Sequence, residues 1–221
     1  MDKKIFFTDK EIGRALAFTK SINWKHSQAS FSDISNKSTR SSMDAYLSVL
    51  RGKLAEIALQ KYLQEKHKGK HEISPLDFNI YKKGVCDSFD LGFDKYKISI
   101  KSSKIQSSCL LVEKDKYKTD VYGNPISIDG HSNMIPDFYA FVKVKIDMND
   151  IKDSYAYICG AISHKDFWRK KKELPRGTYI NKKNMDELFK ENKPLSQLTE
   201  KKGVELLASN YGLHIDLLKP F

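Results

Sequence analysis

Three charged side chains in the middle of the chain could do chemistry, and a few polar ones surround them. Glu56 lies in Arg51-Gly52-Lys53-Leu54-Ala55-Glu56, within a stretch of helical periodicity. A step of about 100° per residue puts it on a stripe with Val49, Gly52, Gln60 and Leu63, beside the apolar face. Gly52, one turn back, leaves room for a close approach. Asp90 stands between Phe89 and Leu91 in a strand-like segment. Strands disfavour Asp, so this carboxylate needs a partner or a task. Lys101 closes the run Lys97-Ile98-Ser99-Ile100-Lys101, whose alternation sets Ser99 and Lys101 on one face and two isoleucines on the other. Ser102, Ser103 and Gln106 follow with hydrogen-bonding groups, and Asp87 is a second acid three residues before Asp90. Carboxylates are the ligands of hard cations, and a fixed ammonium stabilises developing negative charge. A helical Glu on a solvated face, an Asp in a turn and a strand-end Lys in water are the ordinary alternatives.

The elements that must position these groups follow from periodicity. Thr8-Asp9-Lys10-Glu11 reads as a helix start, with apolar residues at Ile12, Leu16 and Phe18. A polar, Ser-rich loop over 26–42 ends in Ser-Ser, which caps a helix over about residues 42–66. Met43, Leu47, Leu50, Leu54, Ile57 and Tyr62 form its buried face. After Gly69 the period changes to two. Residues 78–81 are a possible strand, and residues 88–93 and 97–101 read as a β-hairpin around a turn at 94–96. Residues 109–112, 138–144 and 155–162 read as further strands, with a Gly/Asn/Asp-rich loop over about 118–135. A basic helix is expected over 165–174, and helices around 184–191 and 200–211. Pro136-Asp137 is not a second site, because like-charged Lys143 stands two before Lys145 and Asp137 opens a strand. One α/β domain over 1–221 is expected, its core about 42–165 with a helical C-terminal elaboration about 165–221.

An acid on a helix, an acid on a strand and a lysine ending the paired strand, in that order, resemble the PD-(D/E)XK, restriction-endonuclease-like nuclease superfamily. The resemblance covers about residues 45–145, through GKLAEIAL, DSFDLGF and KISIKSSK. Ser99 stands where the family has an acid two residues before the lysine, and no proline precedes Asp90. The resemblance implies a central mixed four- to five-stranded sheet flanked by helices. It implies Mg²⁺ held by Asp90, Glu56 and the Ile100 backbone, with Lys101 serving the attacking water; Asp87, Ser99, Ser102 and Gln106 are further candidates. The implied activity is Mg²⁺-dependent hydrolysis of DNA by a restriction-type endonuclease. The alternative is a DNA-binding module that keeps the fold without cleavage. Double-stranded DNA is the implied partner, and cutting both strands at a symmetric site implies a homodimer.

Composition agrees with a polyanionic partner. The formal charge is +11 and the pI about 9.3, a surplus that repels itself unless a polyanion relieves it. Only Arg14, Arg40, Arg51, Arg169 and Arg176 are arginines, so phosphate attraction through lysine outweighs bidentate guanine reading. Within Phe167-Trp168-Arg169-Lys170-Lys171-Lys172, the bases Arg169, Lys170 and Lys171 are candidates for the DNA backbone. Cys86, Cys109 and Cys159 lack CxxC spacing, and a reducing cytoplasm is expected. No apolar run approaches the roughly 18 residues of a membrane span, and the start MDKKIFFTDKEIG is not a signal peptide. The histidines show no metal-nuclease or protease spacing, and no GxxxxGK[ST] or GxGxxG occurs.

Overall fold

Thr8 begins the first helix by a reciprocal cap: its hydroxyl accepts from the Glu11 amide at 3.3 Å, and the Glu11 carboxylate accepts from the Thr8 amide at 2.7 Å. The computed structural model describes residues 3–22, 42–79, 89–114, 117–119, 125–127, 135–198, 200–206 and 209–221. In chain order the elements are β1 (Lys3–Phe6), α1 (Asp9–Ser21), α2 (Ser42–His67), β2 (Leu91–Phe93), β3 (Tyr96–Ser103), β4 (Cys109–Glu113), β5 (Tyr117–Thr119), β6 (Pro125–Ser127) and β7 (Phe138–Lys145). Then come β8 (Tyr155–Ser163), α3 (His164–Lys170), β9 (Lys172–Leu174), β10 (Tyr179–Ile180), α4 (Lys182–Phe189), β11 (Val204–Glu205) and β12 (Asn210–His214).

The main sheet is mixed, in the order β1-β8-β7-β3-β2, with β3 and β7 parallel and the other pairs antiparallel. Alternation gives it two distinct faces. On the first, Ile5, Ile98, Ala140, Val142, Val144, Ala156 and Ile158 meet α1 and α2 through Ile12, Ala15, Leu50, Leu54, Ala58 and Leu63. On the second, Tyr139, Phe141 and Ile162 pack against Phe167 of α3 and against Leu110, Val112, Tyr211 and Leu213. Those last four belong to a small sheet of order β4-β12-β9. The chain is therefore α/β, a mixed five-stranded sheet flanked by helices. Among the described residues no helix is long and apolar enough to cross a membrane.

Several expectations need correction. Met43 is 56% exposed and not part of the buried face of α2. The strand at 109–113 belongs to the small sheet, and the basic helix stops at Lys170 before β9 begins. Among the described residues of 200–211 there is no helix: β11 and β12 are strands, and β12 is buried along its whole length. Gly212 fits β12 closely between β4 and β9, because a Cβ there would lie 2.4 Å from Leu174 Cδ1 and 3.1 Å from Cys109 Sγ. The C-terminal part thus combines the helices α3 and α4 with the short strands β9 to β12. The loop expected at 118–135 contains the short β5–β6 pair. Residues 78 and 79 have no regular structure, while the loop over 26–41 and residues 80–88 lie outside the described residues.

Candidate active site at the end of the β2–β3 hairpin

The hairpin turns at Asp94, whose φ of 50° is tolerated by Asp better than by most residues. Its carboxylate accepts from the Glu72 amide at 2.8 Å and lies 2.6 Å from His71 Nδ1, contacts that hold it below its ordinary pKa. At the other end of β2 the chain bends at Asp90, whose amide donates to the Ile98 carbonyl at 3.0 Å. The side chain occupies the place where β2 would continue. Its Oδ2 accepts from the Ile100 amide at 2.5 Å and from the Ser99 hydroxyl at 3.2 Å. Oδ1 carries no hydrogen bond among the described residues. In a strand the N–H and C=O of one residue project to the same side. The Ile100 carbonyl therefore faces the same edge as the Asp90 carboxylate.

Ser99 and Lys101 pair with Tyr139 and Phe141, which places both on the second face, Lys101 half-buried. Ser102 pairs with Val142 and so lies on the helix face, opposite Lys101; Ser103 returns to the second face. Gln106 is exposed in the turn after β3, and Asp87 lies outside the described residues.

Glu56 is almost covered, with 12% of its side chain exposed, and pairs with Lys53 at 2.8 Å. Lys53 also donates to the Asp77 carbonyl at 2.8 Å. Between helix and hairpin, Gln60 donates to the Ser74 carbonyl at 2.8 Å, and the Ser74 hydroxyl accepts from the Gly92 amide at 2.8 Å. One helical turn from Gln60 is Glu56, and two strand residues from Gly92 is Asp90. The two carboxylates thus flank the Gln60–Ser74–Gly92 link, one from the helix and one from the hairpin. The structure thus joins Asp90, Ser99 and Ile100 directly and puts Lys101 beside Ser99 on the second face, whereas Glu56 stays in the helix layer, paired with Lys53. Nothing among the described residues lies within 4 Å of a Cβ built at Gly52, so the close approach expected there is not made. Among the described residues no group of three or more His, Cys, Asp or Glu side chains is arranged to hold a metal ion. The oxygens able to contribute to one are Asp90 Oδ1, the Ile100 carbonyl and, from the helix layer, the Glu56 carboxylate.

The remaining candidates lie elsewhere. Arg169 is paired with Asp166 at 2.7 Å, Lys170 is exposed, and Lys171 stands 4.4 Å from the ring centres of both Trp168 and Tyr211. Burial there lowers the Lys171 pKa. Asp137 is a strand brace: Oδ2 accepts from the Lys97 amide at 2.7 Å and its own amide donates to the Lys97 carbonyl at 2.8 Å. Sequence reasoning missed the chain His164 Nδ1–Tyr139 OH–Tyr117 OH, with links of 3.1 and 3.0 Å, next to Ser99 on the second face. Only the pairing of β3 with β7 reveals it. A cavity of about 410 Å³ lies between Leu63 and His67 of α2, Ile98 and Phe138 of the sheet, Lys170 of α3 and the C-terminal Phe221. Comparison of the chain with protein-family models, curated proteins and solved structures gave no match.

Proposed function

We propose that the protein is a Mg²⁺-dependent endodeoxyribonuclease with a restriction-endonuclease-like core, acting on double-stranded DNA as a homodimer. The observation that carries this reading is the Asp90 carboxylate, seated past the end of β2 against Ile100 and Ser99, with Lys101 next on the same face. Mg²⁺ bound there would supply charge relief to the pentacovalent phosphate. Asp90 would hold the ion through Oδ1, Ile100 through its carbonyl, and Glu56 would complete the acidic set from α2. Lys101 would orient the attacking water and offset negative charge on the phosphate oxygens. Ser99, lacking a charge, positions Asp90 by donating its hydroxyl.

A plasmid-nicking assay tests this. Nicking in Mg²⁺ that disappears with EDTA, and disappears in Asp90→Ala, is the expected result; intact plasmid under every condition overturns it. The second reading, a DNA-binding module without cleavage, draws on Ser99, a hydroxyl in place of the family's second strand carboxylate. It predicts retarded but uncut DNA in the same experiment.

A further inference from the structure

Among the described residues, the second face of the main sheet is covered only over part of its length. Around Tyr139 and Ile162 it is sealed by α3 and the small sheet. The row of Lys101, Phe141 and Gly160 marks the border. Beyond it the cross-strand partners on this face are Ser103, Lys143, Tyr157 and Lys4. The next row is Lys145, Tyr155 and Phe6. These side chains are half-buried or exposed, Phe6 by 58%, while their alternates Ile5, Val144 and Ala156 are in the core.

Rings and ammonium groups interleave on this open face. Lys4 Nζ stands 4.5 Å from the Phe6 ring centre and 4.0 Å from that of Tyr155. Tyr155 and Tyr157 meet edge to face at 5.4 Å. Lys143 makes no ion pair among the described residues. Lys145 is held by Asp147 at 3.0 Å, and the neighbouring turn carries Asp150 and Asp153. That acidic turn bounds the face on one side.

We propose that this open face is a docking surface for a single-stranded polynucleotide, running across β3, β7, β8 and β1 from Lys101 toward Lys4 and Phe6. Rings on a solvent-facing sheet offer platforms on which unpaired bases stack, and this needs no particular sequence. Lysines between the rings meet the phosphates as point charges. Four strands spaced about 4.8 Å apart span roughly 14 Å, room for about two or three bases, as on other four-stranded platforms. A duplex keeps its bases stacked internally and could use only the lysines. Lys4 rests on two rings by a flexible stem, so it can yield a ring face to a base and turn to a phosphate. The face ends at Lys101, so a docked strand leads into the candidate active site. That delivery rests on the nuclease reading; the docking does not.

The test is fluorescence anisotropy of the full chain in EDTA. The probe is a short labelled mixed-sequence oligonucleotide, as DNA strand, as RNA strand and as the DNA duplex. Binding of either strand is expected to depend on the rings of the open face, whereas duplex binding is not, and the tighter of the two strands names the source. Phe6→Ala and Tyr157→Ala should each weaken strand binding about tenfold, the scale of one lost stack. Tyr157→Phe should restore it, which separates stacking from a folding defect. Lys143→Gln should reduce the salt slope for the strand by about 0.7. Unchanged strand affinity in both alanine variants overturns the proposal, and so does an equal loss of duplex affinity in them. Ring-dependent binding without plasmid nicking would leave the docking face standing and remove the cleavage reading. Nicking with ring variants that bind like wild type would do the reverse.

Discussion

Asp90 receives two donors on one oxygen, which fixes its rotamer and turns the other oxygen outward. Such fixing matters because a carboxylate that must hold an ion cannot afford to search for it. Asp90→Asn keeps the shape and loses the charge, so cleavage is expected to vanish while DNA binding persists; gel retardation beside the nicking assay checks both. Lys101→Ala should slow cleavage by about 10²–10³-fold, the cost of losing one fixed charge-stabilising group. Glu56→Ala should lose Mg²⁺-dependent cleavage nearly as completely as Asp90→Ala, whereas Ser99→Ala removes one hydrogen bond to a charged group and should cost much less. If Glu56→Ala cuts like wild type and Ser99→Ala is dead, the second metal ligand is wrongly assigned. Two histidines make a separate prediction at this scale. Burial lowers the pKa of both His164 and His214. His164 Nε2 is buried without a partner, and His214 Nε2 approaches Asp186 at 3.1 Å without the alignment of a hydrogen bond. Unfolded, each titrates near pH 6.5. As pH falls through that value the unfolded chain takes up protons that the folded chain refuses, so stability drops. The urea midpoint should fall between about pH 7.5 and 5.5, and His164→Gln should flatten the fall.

At the level of elements, strong local signals were legible and tertiary ones were not. The capping box at Thr8, the stripe along α2, the alternation in 97–101 and the apolar runs at 138–144 and 155–162 all became the elements expected. Lys101 was legible for the same reason, but Asp90 was expected within the first hairpin strand and lies in a bend just before it, joined to β3 by its side chain instead. Glu56 was not placed so clearly, because helix periodicity says which stripe a residue is on but not which side of a sheet the stripe meets. The helix expected over 200–211 failed because β12 is a strand only by virtue of β4 and β9 on either side. Its sequence carries no alternation when both faces are buried. Gly212 was the readable clue. Gly212→Ala would drive a methyl into Leu174, so a loss of about 1–3 kcal/mol in urea unfolding is expected, with Gly212→Val worse. A variant as stable as wild type would show that β12 has slack that this packing denies.

For the whole molecule, the charge of +11 takes on a location once the sheet faces are known. On the helix side, Lys3 pairs with Glu65, Lys61 with Glu11 and Lys152 with Asp9, so much of the basic surplus there is already answered. On the open face Lys4 and Lys143 have no acidic partner among the described residues, and Lys145 shares only Asp147. The field of the molecule is therefore expected to draw a polyanion to the face that borders Lys101. Lysine-to-phosphate contacts release condensed counterions, at a slope of about −0.7 per contact for a single strand. Four contacts through Lys4, Lys101, Lys143 and Lys145 would give a slope of about −3, and a fourfold rise in salt would weaken binding roughly fiftyfold. Reversing one charge on this face, Lys143→Glu, should lower affinity and flatten the slope, because it removes one contact and adds a repulsion. Reversing Lys165, exposed on α3 away from the face, should do neither. If log affinity stays flat with salt, or responds equally to both reversals, the surplus lysines are a property of composition and the open face has no claim on nucleic acid.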